Sequence, residues 1–307
     1  MDEQLTPESS PQVDDDEEER QGLLRSFFGL FLVPLMVVLV CVGVFVGFGW
    51  IAYDRQTTSD YLNDLKSSWK PRRAQAAYEL SRVLVADPGA LDDAPGAREE
   101  VRTLFAEADE GPMKRYLSLV LGYTKDVRAI PLLVAELESQ SSESRIYALW
   151  SLGRIGDPAV RRPLVEALQD SDPGIRKTAA YALSGLGDPT LVDHLAPLLN
   201  DTVVDVRWNA ALALAELGSA TSQEVLGQMI DRQFTDQIPG ITPDQQEEAM
   251  VSAIRALART ADPAGKAKLG ELANSDISMK VRQSALDALA AITAIETQNR
   301  VESSGAP

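Results

Sequence analysis

The residue types that carry most enzyme chemistry are scarce in this chain, and their positions narrow what it could do. His194 is the single histidine of 307 residues, and Cys41 is the single cysteine. A classical zinc site needs three or four Cys, His or carboxylate ligands, and a Cys/His nucleophile needs both groups together. Cys41 lies in an unbroken apolar run and His194 beside the stripe Leu191, Leu195 and Leu198, so one chain assembles neither. No Gly-x-Ser-x-Gly elbow surrounds a serine, and no Gly-x-x-x-x-Gly-Lys loop offers amides to a phosphate. With 46 carboxylates in the chain, some lie close together by chance, so no acid pair is nominated for proton transfer. The expectation is no catalytic residue, no metal and no cofactor, hence a non-enzyme.

The residues that do recur at a fixed spacing are structural. Arg145, Arg176 and Arg207 stand 31 apart, as do Ala148, Ala179 and Ala210, then Leu152, Leu183 and Leu214, then Gly156, Gly187 and Gly218. Four columns agreeing in three copies mark a repeat architecture. Each copy reads as two helices. In the middle one, Ile175, Ala179, Ala182, Leu183 and Leu186 form one apolar stripe at three- and four-residue steps. Gly187 then supplies the left-handed residue that ends a helix, and Asp188-Pro189 caps and opens the next. Leu191, Leu195, Leu198 and Leu199 stripe the second helix. One hairpin cannot bury its own apolar face, so successive hairpins must stack.

Ile175-Arg176, Val206-Arg207 and Val281-Arg282, with Asp170, Asp201 and Asp276 six positions before each Arg, and the Gly-Asp-Pro turns at 156–158 and 187–189 carry a resemblance. The chain resembles the HEAT-like repeats first associated with phycobilisome lyases, over roughly residues 69–294. The resemblance implies an all-α solenoid of about seven helix hairpins. It also implies an inter-repeat Asp/Arg ladder, here Arg145, Arg176, Arg207 and Arg282 with Asp170, Asp201 and Asp276, and it brings bilin-lyase activity as a functional precedent.

The amino-terminal part reads differently. Residues 1–25 form an acidic tail expected to be disordered. Residues 26–53 contain no charge and read as a single transmembrane helix, longer than the ~20 residues a span requires. Gly43 and Gly47 share one face of it and are candidates for helix pairing and self-association in the bilayer. Residues 54–68 read as a membrane-proximal link, and 295–307 as a second disordered tail. Flanking positive charges leave open on which side of the cell membrane the repeats lie.

Two further features point to partners. Trp150 and Tyr181 belong to a column with Leu119 and Leu212, while Trp208 falls where other repeats carry Arg115, Ile146, Lys177 and Gln283. A tryptophan where charge is tolerated is expected to be partly exposed, and such aromatics anchor interfaces. An insertion at about 232–247, with Phe234 and Ile238, is expected to emerge as a loop on one face. A net charge of −17 argues against nucleic acid, whose phosphates require Lys and Arg. The sequence thus predicts a membrane-anchored, non-enzymatic scaffold that binds a membrane-associated protein through Trp208, Trp150, Tyr181, Phe234 and Ile238. The alternative is a degenerate bilin-lyase-like or other small-molecule-binding enzyme.

Overall fold

A computed structural model describes residues 32–52, 57–260 and 263–304. The acidic tail at 1–25, the first residues of the expected span, residues 53–56 where that span meets the expected link, Ala261-Asp262 and the final three residues lie outside these. Among the described residues every element is helical.

Helix α1 (Val33–Ala52) falls in a separate unit from the repeats. No helix among the described residues is long and apolar enough to cross a membrane. The expected 28-residue run at 26–53 contains α1, and its residues 26–31 and Tyr53 lie outside the described residues. The single-pass placement in the cell membrane is corrected accordingly, and the lipid partner expected with it has no support. Gly43 and Gly47 lie on α1 with open space where a side chain would stand.

Helices also lie on either side of the expected repeat bounds at 69 and 294. The expected link contains α2 (Thr58–Leu65), which buries Leu62 and Leu65 in the main core. The first helices of the hairpins are α3 (Lys70–Ala86), α5 (Pro112–Tyr123), α7 (Ser142–Ile155), α9 (Pro173–Ser184), α11 (Val204–Glu216), α14 (Pro243–Thr260) and α16 (Met279–Ser304). Their partners are α4 (Ala97–Glu107), α6 (Ile130–Glu136), α8 (Arg161–Ala167), α10 (Val192–Leu195), α12 (Gln223–Met229) and α15 (Pro263–Ser275). The tail expected from 295 is helical through Ser304. First helices stack in chain order, α3 on α5 and onward to α11, with α14 and α16 continuing the layer.

The repeated apolar columns make this stacking favourable. Ala148, Leu152, Ala179, Leu183, Ala210 and Leu214 are all fully buried. Small residues bring neighbouring helices close. A side chain on Gly153 would come 2.6 Å from Cβ of Ala182, and Ser151 instead donates to the Ser118 carbonyl on the previous first helix at 2.7 Å. In the turns, Gly156, Gly187 and Gly218 hold φ of 70°, 64° and 75°. The following Asp157 and Asp188 accept from the amides of Ala159 and Thr190 at 2.8 and 2.9 Å, starting short 3₁₀ segments that lead into α8 and α10.

Arg and Asp form a two-sided ladder. Arg145 donates to the Asp170 carboxylate at 2.6 Å, 25 residues ahead, and Arg176 clasps Asp201 through two bonds of 2.8 and 2.9 Å. The Arg six positions after each Asp bonds that residue's main-chain carbonyl instead, Arg176 to Asp170 and Arg207 to Asp201, both at 2.8 Å. The 31-residue step from Asp201 lands on Arg232, so no carboxylate stands there for Arg207. Arg232 itself, on α13 (Arg232–Thr235), clasps Asp276 at 2.9 and 2.7 Å.

A candidate ligand groove on the first-helix layer

At the carboxyl-terminal ends of α7, α9 and α11 the layer opens into a groove of about 620 Å³, within the ~300–1,000 Å³ of small-molecule sites. The small residues Gly153, Gly185 and Ala213 line it together with Tyr181, Arg154, Lys125 and Asn209. Tyr181 is 53% exposed. The Arg154 guanidinium lies 5.6 Å from the Tyr123 ring centroid and 5.7 Å from that of Trp150, and those two rings meet at 5.0 Å. Two aromatic faces thus hold one cation at the groove edge without neutralising it.

Lys125 is the residue that sequence reasoning missed. It occupies the glycine column, 31 residues before Gly156, and adopts φ 49°, the one non-glycine positive φ among the described residues. A side chain in that region costs roughly 1–2 kcal/mol, so the backbone turn presents a lysine where the other repeats present none. The departure from the column was readable at position 125, but its consequence depends on which wall the turn faces. Neither Lys125 nor Arg154 has a carboxylate partner among the described residues. Glu216, also in the lining, is engaged by Arg259 at 2.6 Å.

The expected partner-binding residues do not form one patch. Trp150 is half-buried against Tyr123 and beneath Arg154, outside the groove lining, Tyr181 is open, and Phe234 and Ile238 are half-buried on the insertion. Trp208 corrects its expectation, since it is 8% exposed in the second core cluster with Met250, Ile254 and Val281. The reason is the insertion, whose Ile238 and Ile241 pack against that same cluster. A line of tyrosines passed unnoticed in sequence: Tyr78, Tyr116 and Tyr147 meet ring to ring at 5.2 and 6.5 Å on α3, α5 and α7. Burial, with the neighbouring Tyr116 ring, raises the Tyr147 hydroxyl above its ordinary pKa. His194 is exposed on α10 beside Arg161 and Arg162. Among the described residues no cluster of His, Cys, Asp and Glu could hold a metal ion.

Residues 130–215 match the HEAT repeats family, and residues 206–232 match the PBS lyase HEAT-like repeat. The chain therefore carries HEAT repeats across 130–232. The complex of CpcE and CpcF of phycocyanin lyase from Nostoc sp. PCC7120 is similar at 18% identity, covering 78% of this chain and 95% of that chain with a TM-score of 0.51. At that identity the likeness is one of fold. Human deoxyhypusine hydroxylase in complex with glycerol is similar at 22% identity over 77% of this chain and 96% of that one, with a TM-score of 0.33. No curated protein matches the sequence. The match to the PBS lyase HEAT-like repeat overturns the expectation of a non-enzyme.

Proposed function

We propose that this HEAT-repeat chain has a lyase-type role, in which the groove holds an anionic conjugated small molecule of the open-chain tetrapyrrole kind and the repeat surface offers it to a protein acceptor. One observation carries the reading: Lys125 and Arg154 are two cations without carboxylate partners at one groove, in a chain of net charge −17. Propionate groups would pair with them, while Tyr181 supplies a face for a flat conjugated ring. The PBS lyase HEAT-like repeat at 206–232 contributes Asn209, Leu212 and Glu216 to the same lining and supports this choice of ligand.

The residues present also say what the chain contributes to such chemistry. The unit that contains the groove has no cysteine, so a thiol that captures the molecule belongs to the acceptor. The one acid in the lining is Glu216, which pairs with Arg259 at 2.6 Å. The groove's part is to bind, to hold one conformation and to exclude competing orientations, which is how positioning lowers a barrier.

Biliverdin titrated into the purified full chain provides the test, read by its absorbance change. Saturable binding weakened roughly tenfold by Arg154→Ala, the loss of one charge-assisted contact, supports the reading. Lys125→Gly is expected to weaken binding in the same way while leaving the melting temperature unchanged or higher, because glycine accepts the positive φ. No saturable binding, or binding indifferent to both substitutions, would remove it.

A further inference from the structure

A second cavity of about 460 Å³ lies between α11, α14 and the insertion, floored by Leu212 and Met229 and walled by Ile238 and Ile241. Trp208 lines it, more than nine-tenths buried, and its indole Nε1 has no hydrogen-bond acceptor among the described residues. Repeat packing does not demand a tryptophan here, since the column offers Arg115, Ile146 and Lys177 at the same place. The walls are fixed by side chains. Arg232 clasps Asp276, and Gln246 donates to the Thr235 hydroxyl at 2.5 Å and to Asp236 at 2.8 Å.

Charge sets this cavity apart from the groove. Its lining contains Asp205 and Glu248 and no lysine or arginine. Asp205 faces Lys177 at 3.5 Å with both side chains largely exposed, a pairing worth little. Glu248 has no cation partner among the described residues. The two cavities share Asn209 and Leu212, so an occupant runs along the layer rather than ending in a closed pocket.

We propose that this cavity seats an extended segment of a partner protein that carries an apolar side chain beside a basic one. The apolar side chain fills the floor between Leu212 and Met229. The basic side chain meets Glu248 and Asp205. The inference stands whether or not the groove takes a pigment. If it does, the same segment reaches the groove at Asn209.

The test uses the full chain and two fluorescein-labelled, end-blocked peptides, one alternating leucine with lysine and one alternating leucine with glutamate, read by anisotropy. The basic peptide is expected to bind and the acidic one not. Glu248→Gln, on an exposed side chain, is expected to weaken it and flatten its dependence on salt. The indole N–H resonance of Trp208 should shift on adding the basic peptide. Equal binding of both peptides, an unmoved indole resonance, or full affinity in Glu248→Gln would overturn the proposal.

Discussion

Asp201 takes two hydrogen bonds from Arg176 and one from the amide of Val203 at 2.8 Å. The Arg176 hydrogen bonds, opposed by burial and helped by that amide and the charges of Arg176 and Arg207, hold its carboxyl below the ordinary carboxylate range. For Asp276 burial pushes upward most, yet Arg232, the Ser278 amide and the charge of Arg282 outweigh it, and the net direction is again down. A carboxyl depressed in the folded state adds stability that is complete above its unfolded value and lost as pH falls through the folded one. Asp201→Asn is therefore expected to cost about 1–3 kcal/mol at pH 7, and the difference from the parent should shrink below roughly pH 4. Urea unfolding of both proteins across pH 7 to 2.5 measures it. The presence of Asp and Arg at these positions was legible from their 31-residue spacing. Which Arg reaches the carboxylate was not, because a six-residue neighbour and a 25-residue neighbour compete, and only the stacking of hairpins decides between them.

Helix packing makes opposite demands on two glycines. On α7, a methyl at Gly153 would lie 2.6 and 2.7 Å from Cβ and Cα of Ala182, so α7 and α9 would have to separate. On α15, a methyl at Gly270 meets nothing within 4 Å. Alanine is the better helix former by about 1 kcal/mol, so Gly270→Ala should stabilise the protein by up to that amount. Gly153→Ala should destabilise it by about 1–3 kcal/mol, because backbone crowding exceeds the gain in propensity. Thermal melts of the two variants give the opposite signs directly. The repeated columns at Ala148 and Leu152 located α7 in sequence. The short 3₁₀ entries to α8 and α10 were not readable, since an Asp-Pro pair opens either kind of turn.

Two hydrophobic clusters divide the repeat body. One runs from Leu62 to Leu214 and the other from Trp208 to Ile292, with α11 contributing to both. The insertion interrupts the ladder between them, and Arg232 restores it by pairing with Asp276, whose side chain is 3% exposed. Arg232→Ala leaves that carboxylate buried and unpaired, at a cost of about 3–5 kcal/mol. In a repeat array stability is a sum of nearest-neighbour terms, so the loss should be local. Hydrogen exchange is expected to quicken in α14 and α16 while α5, α7 and α9 keep their protection; uniform loss across all of them would contradict the division.

Periodicity in the chain was sufficient to determine the helical hairpins, their stacking order and the buried columns at Leu152, Leu183 and Leu214, because every copy restates the same short-range pattern. What tertiary structure decided were the exceptions to that pattern: a lysine in a glycine's turn now edges a groove beside Arg154, and a tryptophan in a charged column lies buried beneath an insertion. Local propensity fixes a helix and its apolar face, but whether two residues 29 apart, such as Lys125 and Arg154, converge on one cavity depends on how neighbouring hairpins are packed.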